Sequence, residues 1–244
     1  MTLLRRNIKI LQSNFHKYYV KSQKEFDELA FNKFLSLTRG NRSKLVFLPT
    51  GETPLGFYQQ IIEYSLINKG FIKKFFFINL DEYLGITQSS EPSFKKYLEN
   101  NLVNPLKLIS NQYYWIDNKT PIRQETTYLD SLIKIHKAID LCILGVGENG
   151  HIAFNEPNCN PNLDFYDTSL EKSTLKNITS NKKLITHGRT IGISKILSSK
   201  KILLLVSGKN KKSALKKLLS KKIDTNYPVS YLSSHSNVTI IIKE

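Results

Sequence analysis

Residues 202–212 read Ile-Leu-Leu-Leu-Val-Ser-Gly-Lys-Asn-Lys-Lys, and residues 75–85 read Phe-Phe-Phe-Ile-Asn-Leu-Asp-Glu-Tyr-Leu-Gly. Each opens on a continuous apolar run of strand length and then turns abruptly polar. A strand with one wet face alternates apolar and polar residues, so an unbroken run fits a strand covered by helices on both sides, in the middle of a mostly parallel sheet. Outward from these two, further runs rich in β-branched and aromatic residues fall at Asn7–Leu11, Lys44–Leu48, Gln112–Ile116, Leu141–Leu144, Thr190–Ile193 and Val238–Ile242; the two opening strands span Phe75–Leu80 and Ile202–Val206. Between them, apolar residues three or four apart predict helices at Ser22–Leu37, Pro54–Ile67, Ser93–Asn101, Thr126–Lys137 and Lys211–Ser220. The alternation predicts an α/β fold, a mostly parallel central sheet with helices on both faces. No internal repeat, Pro- or Gly-rich linker or low-complexity block interrupts it, so residues 1–244 are expected to form a single domain. One stretch differs: Asn158–His187 is polar, lacks a sustained period and contains Asn-Cys-Asn-Pro-Asn, which marks it as an irregular excursion or lid.

Composition narrows the function classes. The 244 residues are 40% hydrophobic, with 13 Phe and 12 Tyr, enough apolar surface to offset ordering entropy and exclude global disorder. No apolar run approaches the roughly 20 residues of a membrane span, and Met-Thr-Leu-Leu-Arg-Arg turns polar too soon for a signal peptide, so a cytosolic protein with no membrane partner is expected. Two cysteines, Cys142 and Cys159, support neither a disulfide framework nor a Cys-based metal site and read as reduced thiols. The 36 Lys+Arg against 20 Asp+Glu, a net +16, invite a nucleic-acid reading. The lysines are scattered, with bursts at Lys73–Lys74, Lys182–Lys183, Lys200–Lys201 and Lys209–Lys222, rather than gathered into one basic arm interleaved with aromatics. A solvated lysine-rich surface, or an anionic small substrate, suits that pattern better.

In an open parallel sheet, ligands bind beyond the carboxyl ends of the strands, and four strand tips are unusual. After Leu48 comes Pro49-Thr50-Gly51-Glu52-Thr53-Pro54, leading into a helix with Thr53 expected as N-cap and Pro54 at the first helical position. Hydroxyls, a permissive Gly and free amides at a helix start suit a phosphate, and equally an ordinary capped turn. A phosphate there has to lean on Thr50, Gly51 and Thr53, because the Glu52 carboxylate repels it. After the Phe75 run, Asp81 and Glu82 should diverge, since successive strand residues face opposite sides; only one can face a ligand. Such acidic pairs also occur as plain turn formers. After Leu144 comes Gly145-Val146-Gly147-Glu148-Asn149-Gly150-His151-Ile152-Ala153-Phe154-Asn155-Glu156-Pro157. Glycines let backbone approach a ligand, and a His with a carboxylate and an amide nearby is the equipment of a proton shuttle. After Val206, Lys211 in the first turn of a helix opposes the helix dipole unless an anion shares the site; otherwise it belongs to a surface lysine run.

Thr50-Gly51-x-Thr53-Pro54, Leu80-Asp81-Glu82-Tyr83-x-Gly85, the Gly145–Pro157 segment and Gly208-x-x-Lys211 together resemble the signatures of the glucosamine-6-phosphate deaminase/isomerase family, in the family's order, from about residue 25 onward. The resemblance implies a Rossmann-like sheet and conversion of glucosamine 6-phosphate and water to fructose 6-phosphate and ammonia, with no metal and no organic cofactor. It implies that His151 opens the sugar ring, oriented by Glu156 and Asn149, and that Asp81 carries the C2 proton to C1. Thr50, Gly51, Thr53, Gly145, Gly147 and Lys211 would bind substrate and its phosphate. The related 6-phosphogluconolactonases are expected to carry Asp-Glu-Arg and Gly-His-Thr-Ala-Ser where this chain has Tyr83 and Ile152-Ala153-Phe154, which favours a deaminase. Galactosamine-6-phosphate deaminases, which yield tagatose 6-phosphate, share the motifs and also resemble Pro228–Leu232 and His235–Asn237. The different-class alternatives are a non-catalytic sugar-phosphate sensor and a nucleic-acid-binding protein. Three departures stand out. Asn149 replaces the Asp of many members; no Arg in Asn158–His187 offers a second phosphate ligand, leaving Lys176, Lys182 or Lys183; and the allosteric-site residues of hexameric members are not recognisable. A monomer or small homo-oligomer is therefore expected.

Overall fold

The computed structural model describes residues 14–175 and 185–244. Along the chain it forms β1 (Asn14–Val20), α1 (Gln23–Leu37), β2 (Lys44–Leu48), α2 (Leu55–Ile67), β3 (Phe75–Asn79), β4 (Asp81–Tyr83), α3 (Phe94–Leu98), β5 (Tyr113–Tyr114) and α4 (Ile122–His136). It continues with β6 (Ile139–Leu144), β7 (Phe165–Ser169), α5 (Lys172–Leu175), β8 (His187–Ile191), α6 (Ile193–Leu197), β9 (Ile202–Ser207), α7 (Lys212–Leu219) and β10 (Asn237–Lys243). Seven strands make one parallel sheet in the order β1-β10-β9-β6-β2-β3-β5. The other three, β4-β8-β7, pair antiparallel in a small second sheet.

Period-two alternation sorts the apolar runs into two cores. Leu45, Phe47, Phe76, Ile78, Cys142, Leu144, Ile202 and Leu204 face one side, against Leu129 and Leu132 of α4, Ile193 and Ile196 of α6 and Ala214 and Leu218 of α7. Val46, Leu48, Phe75, Phe77, Leu141, Ile143, Leu203 and Leu205 face the other, against Phe26, Ala30 and Phe34 of α1 and Phe57, Tyr58 and Ile61 of α2. Both faces are dry, which is why these strands carry no polar alternation. α1 starts where the chain supplies a reciprocal cap: Ser22 Oγ accepts from the Glu25 amide at 3.2 Å, and the Glu25 carboxylate accepts from the Ser22 amide at 3.1 Å.

The direction in which successive strands are added to the sheet reverses between β2 and β6. From β2 the chain proceeds through β3 and β5 to one edge; from β6 it proceeds through β9 and β10 towards the other. The carboxyl ends of β9, β6, β2 and β3 therefore lie side by side, and the crevice beyond such a switch is where an open α/β sheet holds its ligand.

The structure departs from the sequence expectations at several places. The strand expected at Asn7–Leu11 lies outside the described residues, and the observed edge strand is β1, whose mixed polar sequence reflects its one-sided pairing with β10. Of the run expected as a sheet strand at Thr190–Ile193, Thr190 and Ile191 belong instead to β8 of the small antiparallel sheet, while Gly192 caps α6 and Ile193 begins it; β5 is only two residues long. Helix α4 starts at Ile122, four residues earlier than the periodicity predicts. Within Asn158–His187, β7 and α5 are regular structure, with β7 paired to β8 over Phe165–Ser169. That part of the expected irregular lid is a strand and a helical turn; residues 158–164 are turn and irregular chain as expected, and residues 176–184 lie outside the described residues.

Candidate active site

The β2 tip is held from two sides, by Tyr58, whose hydroxyl donates to the Pro49 carbonyl, and by Tyr97, whose hydroxyl donates to the Gly51 carbonyl at 2.5 Å. Gly51 sits at φ +94°, a conformation that favours glycine, so the chain can turn sharply into α2. Thr53 is not the N-cap. Pro54 occupies the cap position, α2 begins at Leu55, and no side chain caps this helix, because the turn is closed by Leu55 N–H donating to Glu52 O at 3.3 Å. The N-terminal amides of this 13-residue helix thus lack a side-chain cap at the carboxyl edge of the sheet.

At the next tip the adjacent carboxylates do diverge. Glu82 is fully buried and accepts from Tyr83 N–H (2.8 Å), Phe94 N–H (3.0 Å), Lys95 N–H (3.0 Å) and Ser93 Oγ (2.8 Å), fastening β4 to the start of α3. Asp81, 6% exposed, has no side-chain hydrogen bond within the described residues, and burial together with the Glu82 charge holds its carboxyl well above the ordinary carboxylate range. One acid is consumed by structure, and its neighbour is left free and destabilised as an anion.

The Gly145–Pro157 loop folds around His151. The ring lies so close over Gly147 that a Cβ there would collide with it. Asn149 Nδ2 donates to Glu156 Oε2 (3.0 Å), while Asn149 Oδ1 accepts from the His151 amide (3.2 Å) and faces His151 Nδ1 at 2.7 Å. With the amide oriented by those partners, its oxygen can only accept, so Nδ1 carries the proton and Nε2 is the free base. Burial holds the imidazolium below its ordinary range, the Glu156 charge works against that, and the Lys211 charge adds to it. The His151 loop and the Asp81 strand are joined through Thr190, which pairs with Asp81 across the small sheet and whose Oγ1 accepts from Phe154 N–H at 3.0 Å. The buried phenol of Tyr83, pushed up by desolvation, feels the charges of Asp81, Glu82 and Glu156 together.

Beyond β9, Gly208 at φ +108° leads through a turn to Lys211, which stands at the N-cap of α7. Its ammonium is half-buried and held below the ordinary lysine range by desolvation, opposed by Glu148. Its charge reaches His151, so the Lys211 and His151 tips are neighbours. Thr50, Gly51 and Thr53 share that edge but make no side-chain hydrogen bond with Lys211 within the described residues. Gly145 is partly exposed, and a methyl group added there would meet nothing within 4 Å, so its backbone is open to close approach. Lys176, Lys182 and Lys183 lie outside the described residues. Arg189, just past the expected lid, is not free to hold a phosphate: it is buried and saturated by Asp167 (2.7 and 3.0 Å) and by the Asp117 and Thr120 carbonyls (both 2.7 Å). Thr190 and Thr174, both near the histidine loop, carry no motif signal in the sequence. Among the described residues no group of three or more His, Cys, Asp or Glu could hold a metal ion, and no helix is long and apolar enough to cross a membrane.

A buried carboxyl, a bridged histidine and a lysine thus stand on neighbouring strand tips, and the chain belongs to the glucosamine-6-phosphate isomerases/6-phosphogluconolactonase family, whose profile matches residues 24–241. Within it, the chain is 36% identical over 233 residues to the glucosamine-6-phosphate deaminase of Clostridium novyi (strain NT), covering 93% of this chain and 94% of that protein. It is 38% identical over 200 residues to the glucosamine-6-phosphate deaminase of Bacillus pumilus (strain SAFR-032), covering 80% and 83%. Among solved structures it matches a monomeric glucosamine-6-phosphate deaminase of the NagB superfamily with TM-score 0.87 at 28% identity, over 94% of this chain and 97% of the other. The 6-phosphogluconolactonase of Thermotoga maritima shares the fold, with TM-score 0.76 at 20% identity over 95% and 100%.

Proposed function

We propose that this chain is a glucosamine-6-phosphate deaminase, releasing ammonia and fructose 6-phosphate by ring opening followed by aldose–ketose isomerisation. The observation that carries the reading is the division between two adjacent carboxylates: Glu82 is spent on four hydrogen bonds, while Asp81 is buried, without a side-chain hydrogen bond among the described residues, and pushed up, the condition of a general base near neutral pH. In this reading Asp81 removes the C2 proton and delivers it to C1. His151, with Nδ1 occupied, presents Nε2 to the ring oxygen and anomeric hydroxyl and moves the proton that opens the sugar; Asn149 and Glu156 position it. The 6-phosphate binds Lys211 and the Thr50-Gly51-x-Thr53 turn, with Gly145 and Gly147 giving backbone close approach, so that C1 and C2 are held against Asp81 and proton transfer becomes effectively intramolecular. Tyr83 and the Ile152-Ala153-Phe154 run favour the deaminase over a lactonase, and the relatives' names favour the gluco epimer over the galacto. We further propose that residues 1–244 act as one domain in the cytosol, as a monomer or small homo-oligomer.

The test is ammonia release from glucosamine 6-phosphate and galactosamine 6-phosphate by the purified protein and by Asp81→Asn. The parent should turn over the gluco compound, and Asp81→Asn should lose roughly two to four orders of magnitude in kcat while still binding substrate. Near-parental deamination by Asp81→Asn would refute the assignment of the base.

A further inference from the structure

His151 Nδ1 and Glu156 Oε2 stand 3.8 Å apart, too far for a hydrogen bond, so beside the direct pull of its charge any hydrogen-bonded link from the carboxylate to the imidazole passes through a third group. Asn149 is one such group, accepting from the ring and donating to Oε2. Thr174, on α5 and 9% exposed, is a second: its Oγ1 lies 3.2 Å from His151 Nδ1 and 2.5 Å from Glu156 Oε1. A hydroxyl has one proton. Glu156 can only accept, so that proton goes to Oε1, and the oxygen lone pairs are left to accept from Nδ1–H. The Glu171 amide, at the head of the same helical turn, donates to the same Oε1 at 3.3 Å.

We propose that Thr174 is a positioning residue for His151, forming with Asn149 a pair of parallel bridges that each accept from Nδ1–H and donate to Glu156. This deepens the proposed function above and rests on it for the role of the ring. The two bridges share a polarity: the carboxylate polarises the hydroxyl and the amide, and each presents an enriched oxygen to the imidazole. Charge stabilisation of the imidazolium, which the amide of Asn149 cannot supply alone, reaches the ring by way of both. The charged groups facing the ring are Glu156 from its own loop and Lys211 from the start of α7; α5 contributes the Thr174 hydroxyl. The position of α5 therefore bears on the protonation of the base.

The experiment compares the parent, Thr174→Val, Thr174→Ala and Thr174→Ser. It reads kcat and KM for glucosamine 6-phosphate, and the His151 titration by imidazole NMR in the substrate-free protein. Val and Ala should each move the titration to lower pH and reduce kcat roughly tenfold with KM little changed; Ser, which keeps the hydroxyl, should stay within about threefold of the parent. An unshifted titration in Val and Ala, or a Ser variant as impaired as Val, would overturn the proposal. Because the NMR arm needs no substrate, a parent that deaminates neither sugar phosphate would overthrow the proposed function while leaving the bridge judged on its own.

Discussion

Replacing Gly147 with Ala tests the contribution of His151 placement, because the three atoms nearest to the added methyl all belong to the His151 ring. A Cβ at this position would overlap His151 Cε1 and Nδ1 and stand 2.5 Å from Nε2, whereas ordinary van der Waals contact begins at 3.4 Å. Gly147 is not at positive φ, so its backbone accepts Ala and the ring has to yield. Relieving the Nε2 contact alone requires a movement of about 1 Å, and the 2.7 Å approach of Nδ1 to Asn149 Oδ1 does not survive it. A misplacement of that size costs about 10²-fold in rate. Ammonia release under saturating glucosamine 6-phosphate should show a loss of that order. The thermal midpoint should change little, since the ring is partly exposed and can swing outward. Gly145→Ala, where nothing lies within 4 Å, is the control for the imidazole and should leave its NMR signature intact. A Gly147→Ala enzyme with parental kcat would show that the position of the ring does not govern the reaction.

Two further outcomes test the phosphate end and the base. Lys211→Ala should raise KM by about ten- to a hundredfold, the loss of one charge-assisted contact worth roughly 1.5–3 kcal/mol, with kcat less affected; an unchanged KM would place the phosphate elsewhere. Glu82→Gln should move the acidic limb of kcat/KM to lower pH. A base works only when deprotonated, so a carboxyl held high by a neighbouring anion puts that limb at higher pH, and removing the anion lets it fall. A limb that stays in place, in a Glu82→Gln protein that remains folded, would show that the Asp81 titration does not set it.

Local sequence carried much of this molecule. The runs Phe75–Ile78 and Ile202–Val206 are apolar without alternation because both their faces are covered, so they announced a parallel α/β sheet before any partner strand was known. Asp81, Asn149, His151, Glu156 and Lys211 stood out because polar groups at strand tips follow directly from the run of the chain, and the divergence of Asp81 from Glu82 followed from the pleat alone. Tertiary structure decided what adjacency in sequence cannot encode. The strand order sets the tips of β2, β3, β6 and β9 side by side, although they are separated by up to about 160 residues. Which acid is free was decided by α3, whose first amides claim Glu82. The small sheet took Thr190 and Ile191 away from the main one, because their strand pairs with β4 and β7 rather than with the parallel core. Thr174 and Thr190 joined the histidine loop only by folding, since a lone Thr on a strand or a helical turn has no pattern of its own. Periodicity and turn chemistry are local and therefore legible; a hydrogen bond across 18 or 36 residues depends on where two elements dock, and the sequence by itself leaves that unstated.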